Sequence, residues 1–152
     1  MEKRRTLHYF TKLLVDFMFY CGIIVCALIP VLIYKFASVS PMLSEVPGKT
    51  IAVLMVSGVM AIYILWEIRH IFKTLVNSDT NPFILANVKS LRKMAVASLI
   101  IAITYIAKCL FWFTMATAII IIIFTIASLF CLVLADVFEQ AIVYKEENDL
   151  TV

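Results

Sequence analysis

Asp16 is a carboxylate set about one turn inside an apolar run, and it is the first residue of the sequence that could do chemistry. An ionisable side chain within a membrane span is costly unless paired, and such groups carry protons or substrates in pumps and transporters. A coupling carboxylate usually sits deeper and lines a cavity, so the simpler expectation puts Asp16 near the membrane interface, beside Arg92 or Lys93. Lys108 is the other isolated charge, and its stem is long enough to snorkel to the far interface near Tyr105 and Trp112. His8 and His70 fall on polar segments and suit solvated side chains. Cys21, Cys26, Cys109 and Cys131 all lie in apolar stretches, without a CxxC pair or His/Cys ligand spacing, and read as small apolar residues. No GxSxG, phosphate-binding loop, HExxH or paired-carboxylate arrangement is present. The expectation is a protein that is not an enzyme, with no catalytic residue, no metal site and no cofactor.

The elements that must position these residues are membrane helices. Hydrophobic residues make up 64% of the 152-residue chain and charged residues 15%, against roughly 45 to 50% and 25% in soluble domains. A spanning helix needs roughly 20 mostly apolar residues. Residues 13–34 meet that length, too long for the apolar core of a signal peptide. Residues 41–48, with Pro41, Pro47 and Gly48, read as a loop, followed by a second span over 50–66 with Tyr63 and Trp66 at its interface end. From residue 95 to 135 the chain is apolar but for Lys108, about twice the bilayer core if it were one helix, so it must fold back. The turn is expected around 113–117, between spans over 94–112 and 117–135, with a tail over 136–152. The fold class predicted is all-α: an integral membrane four-helix bundle in one domain.

Lys and Arg are distributed unevenly about these spans. Lys3, Arg4, Arg5 and Lys12 precede the first; Arg69, Lys73, Lys89, Arg92 and Lys93 lie in the second connection; Lys145 is in the tail. These ten face only Lys35, Lys49 and Lys108 on the other side, so the positive-inside rule puts both termini in the cytoplasm of a multi-pass cell-membrane protein. Helices 2, 3 and 4 are expected to extend into the cytoplasm as amphipathic helices. In the second, Ile68, Ile71, Phe72 and Leu75 form an apolar stripe, with Glu67, Arg69, His70 and Lys73 on the polar face. The third should start at Thr80 or Asn81 as cap with Pro82 first in the helix, and carries Ile84, Val88 and Leu91. The fourth carries Val137, Phe138, Ala141 and Ile142. Its tail is acidic, with Asp136, Glu139, Glu146, Glu147 and Asp149 against Lys145. Docking of this tail on the basic segments is the simpler expectation; reception of a partner is the functional alternative. The small residues Gly22, Gly58, Ala61, Ser98 and Ala102 permit close helix approach, although no GxxxG motif is present and a homo-oligomer stays open.

The run Asn81-Pro82-Phe83, then Asn87, Leu91-Arg92, Ala135-Asp136-Val137-Phe138 and the terminal Glu147-Asn148-Asp149-Leu150-Thr151-Val152 give the chain a likeness. It resembles a family of small four-span bacterial membrane proteins of unknown function, departing from it at Glu139-Gln140, where the family more often carries basic residues. Members are often encoded beside a short helix-turn-helix regulator. The resemblance therefore implies a bacterial plasma-membrane protein with such a regulator as partner, and it brings no catalytic residues. The candidate partner-contact or structural cap residues are Asp16, Arg69, Asn81, Pro82, Phe83, Asn87, Arg92, Asp136, Glu139, Glu147, Asn148 and Asp149. The expected function is a non-enzymatic membrane regulator that contacts the bilayer and a cytoplasmic protein, with no direct nucleic-acid binding. A small oligomeric transporter or exporter, or an immunity factor against a membrane-active peptide, is the alternative.

Overall fold

A computed structural model describes residues 2–37, 47–77 and 84–149. They form four helices: α1 (Glu2–Ala37), α2 (Pro47–Asn77), α3 (Leu85–Cys109) and α4 (Met115–Asp149), with no strand among the described residues. Each is long and apolar enough to cross a bilayer, through segments Tyr9–Lys35, Gly48–Thr74, Leu85–Cys109 and Met115–Asn148. The protein is an all-α, multi-pass membrane protein. Apolar side chains such as Leu13, Phe17, Ile122 and Phe130 point outward, as they must where the surrounding medium is itself apolar.

Several helices are longer than the hydrophobic stretches suggest. At about 1.5 Å per residue, the 36 residues of α1 and the 35 of α4 each reach well beyond a hydrocarbon core about 30 Å thick. The extension expected of helices 2, 3 and 4 thus has a counterpart in α1, which is helical from Glu2. Pro47 and Gly48, expected in a loop, belong to the first turn of α2, where a proline loses nothing because its amide would have no intrahelical acceptor. The third helix begins later than expected, with extended Ile84 as its N-cap and no side-chain capping bond. The expected cap at Thr80 or Asn81, with Pro82 and Phe83, lies outside the described residues.

The helices pack in chain order, α1 on α2, α2 on α3 and α3 on α4. Half of the apolar window of α3 is buried, against 6% for α2 and 11% for α4, so α3 is the central helix. Its buried side chains include Ser90, Ala95, Ala97, Ser98 and Ala102, and such small residues let backbones approach closely when association cannot rely on the hydrophobic effect. The Ser128 hydroxyl of α4 uses this closeness, donating to Ala95 O at 2.8 Å. Gly58 does the same between α1 and α2, since a Cβ there would stand 3.0 Å from Cys26 Sγ. Toward the charged ends of α2, α3 and α4, Val88, Leu91 and Ala135 make a small core with Ile71, Phe138 and Ile142 packed around it, so apolar residues expected on the stripes of these three helices do meet. Val137, expected among them, is exposed.

The turn between α3 and α4 falls at residues 110–114, slightly earlier than 113–117. The amides of Leu110, Phe111 and Trp112 close onto Ala107 O and Lys108 O. Thr114 then caps α4, its hydroxyl accepting from the Thr117 amide at 3.3 Å and lying 2.7 Å from the Thr117 hydroxyl. Lys108 stands beside this turn, with Nζ 3.4 Å from Thr117 Oγ1 and 5.7 Å from the Tyr105 ring centroid.

Candidate functional site: the charged end of the bundle

One end of the bundle collects the start of α1, the end of α2, the start of α3 and the end of α4, because successive helices run antiparallel. The charged side chains gathered there form a ladder with one rung for each helix joint. Between α1 and α2, Asp16 Oδ1 meets Arg69 Nε at 2.5 Å. Between α2 and α3, Lys93 Nζ donates to Glu67 Oε1 at 3.1 Å. Between α3 and α4, Arg92 Nη2 reaches Glu139 Oε2 at 2.7 Å and Asp136 Oδ1 at 3.4 Å.

The rungs differ in depth. Arg69 and Asp16 are partly sheltered, at 20% and 28% side-chain exposure. The guanidinium also lies 5.5 Å from the Phe19 ring and 5.6 Å from that of Tyr20, a placement that favours a weakly hydrated, planar cation. Glu67 is the deepest, with its side chain only 5% exposed, while its partner Lys93 is 57% exposed. The Ser90 and Tyr63 hydroxyls turn toward the same carboxylate. Arg92, Asp136 and Glu139 are all about half exposed or more, and pairs of that kind contribute about 0 to 1 kcal/mol each.

Two expectations are corrected here. Asp16 pairs with Arg69, not with Arg92 or Lys93, because α1 packs on α2 and not on α3. Glu67 does not share the solvated face of the second helix extension; it is buried against α3, on the face that also carries Ile71 and Thr74 one and two turns on. Sequence reasoning passed over Glu67, although its spacing of four and seven from those residues was visible.

Of the other candidate residues, Asn87 is 2% exposed and its amide oxygen lies 2.9 Å from the Thr74 hydroxyl, joining the end of α2 to the start of α3. Asp136, Glu139 and Glu147 share a shallow acidic groove along α4 with Val143 and Tyr144. Asn148 and Asp149 end the described part of α4, one turn beyond Lys145. Asn81, Pro82 and Phe83 lie outside the described residues. The candidates thus separate into rungs of the ladder, a buried amide at the α2–α3 joint and the last turns of α4. Among the described residues no three His, Cys, Asp or Glu side chains come together as a metal site would require.

Residues 10–152 match a family described as DUF2975, proteins of unknown function. The chain belongs to the DUF2975 family. No curated protein and no solved structure matches it. Every residue of the ladder lies within the matched stretch.

Proposed function

We propose that this protein is a non-enzymatic regulator of the bacterial plasma membrane, whose charged end faces the cytoplasm and whose α4 extension receives a basic cytoplasmic protein, a small helix-turn-helix regulator being the candidate. The observation that carries this reading is the end of α4. The helix continues unbroken to Asp149 and presents Val143 and Tyr144, 48% and 66% exposed, within the acidic groove that Glu147 also lines. An exposed aromatic among carboxylates is a surface for a basic partner, since the charge steers encounter and the ring supplies contact area. A DNA-binding domain held in this way would have its basic surface masked.

Coupled transport, the competing reading, draws less support. The two carboxylates nearest the membrane, Asp16 and Glu67, are each neutralised by an adjacent cation.

The test is a crosslinking pull-down from native membranes, comparing the whole chain with one ending at Val143. That truncation keeps the Arg92 ion pairs and the Ile142 contact, so α4 stays docked. Recovery of a small DNA-binding protein with the whole chain and its loss with the shortened one is the expected result. Recovery of no soluble partner by either form would overturn the reading.

A further inference from the structure

A cleft of about 430 Å³ opens between α2 and α3 at the charged end, large enough for a small ligand. Its walls carry Arg69, His70 and Lys73 from α2, and Lys89 and Lys93 from α3, with Trp66 at one margin. Two of these cations are already matched, Arg69 by Asp16 and Lys93 by Glu67. Lys73 and Lys89 have no carboxylate within ion-pair distance among the described residues. Among the described residues, four cations against two carboxylates leave the cleft with a surplus of about two positive charges.

The depth of the cleft says what could satisfy that surplus. Trp66, 56% exposed, closes the apolar part of α2, and Arg69, His70 and Lys73 follow it by about 4.5 to 10 Å along the helix axis. On α3, Lys93 immediately precedes the apolar stretch that begins at Met94, and Lys89 lies about one turn, or 6 Å, further out. The headgroup layer on each side of a bilayer is roughly 5 to 8 Å thick. Arg69 and Lys93 thus stand within the depth of the headgroup layer, and Lys73 and Lys89, further out, can reach back to lipid phosphates along their long flexible stems; basic pockets between transmembrane helices at this depth favour anionic headgroups. A basic soluble partner, of the kind inferred for α4, would be repelled from this face.

We infer that the α2–α3 cleft is a binding site for the phosphate headgroup of an anionic phospholipid, with Lys73 and Lys89 as the cations that the lipid neutralises. A free phosphate shares this chemistry, but it would have to be held at headgroup depth in competition with lipid. The inference is independent of any protein partner at α4.

The experiment is native mass spectrometry of the full-length protein released from micelles that contain equimolar phosphatidylglycerol and phosphatidylcholine. The intact protein should retain phosphatidylglycerol in preference to phosphatidylcholine. That preference should fall about fivefold for each lysine removed in Lys73→Gln and Lys89→Gln. The Lys73→Arg, Lys89→Arg pair should keep it, and so should Lys145→Gln, which removes a charge from the tail. Neither lysine belongs to a rung of the ladder, so helix content and melting temperature should not change. Equal retention of the two lipids, or an undiminished preference in the double glutamine variant, overturns the inference. Release of the bound lipid by millimolar inorganic phosphate overturns the assignment to a lipid and makes the site one for free phosphate.

Discussion

Glu67 and Lys93 show why one ion pair can have two different values. With the Glu67 side chain 5% exposed and that of Lys93 57% exposed, removing the cation strands a buried carboxylate, whereas removing the carboxylate leaves an ammonium that water can reach. Leaving a charge uncompensated in the interior costs several kcal/mol, far more than the pair contributes net. Lys93→Ala should therefore destabilise the protein by about 2 to 4 kcal/mol, Glu67→Gln by about 1 kcal/mol or less, and the double variant by less than Lys93→Ala alone. Unfolding in mixed micelles, read as a double-mutant cycle, checks this; equal losses from the two single variants would contradict it. The same pair shows where residue chemistry was hidden in the sequence. Asp16 stands out because its neighbours are apolar, while Glu67 is embedded in a run that includes Arg69, His70 and Lys73 and looks solvated. Only the packing of α3 against that face makes it buried.

At the scale of the element, the four helices and the apolar faces of their extensions were legible, since spans declare themselves by length and hydropathy and amphipathic faces by period. Their ends were less so. The turn after α3 has neither Gly nor Pro, and the signal that places it is the Thr114 hydroxyl at the start of α4, a weaker mark within a run already rich in Thr. The turn itself exposes Leu110, Phe111 and Phe113, an apolar composition that conceals a turn at a membrane surface. If Thr114 is the cap, Thr114→Val should lower stability by about 1 kcal/mol and Thr114→Ser should be close to neutral. Thermal melts of the two variants distinguish this from a purely apolar packing role, which valine would preserve and serine would not.

The whole molecule is a row of helices in which each joint has its own ion pair, and the joints are graded from sheltered to exposed. Its order could not be read from sequence, because ten basic residues on one side offered Asp16 several partners, and only the adjacency of α1 with α2 selects Arg69. The grading also bears on the proposed role. The α4 extension is held by Phe138 and Ile142 against the small core and by Arg92 on Asp136 and Glu139, contacts weak enough to exchange with a competitor. Arg92 screens two of the carboxylates that a basic partner would meet, and so stands in the place such a partner would occupy. Arg92→Gln should therefore increase crosslinked recovery of a basic cytoplasmic protein, by up to about fivefold if one exposed pair's worth of free energy is released. Its effect on melting should be small, since the apolar contacts of Phe138 and Ile142 remain. If recovery falls in step with stability, the Arg92 pairs hold the receiving surface together and do not compete for it; if recovery is unchanged while the truncation at Val143 abolishes it, the contact lies wholly beyond Glu139, in the last turns around Tyr144.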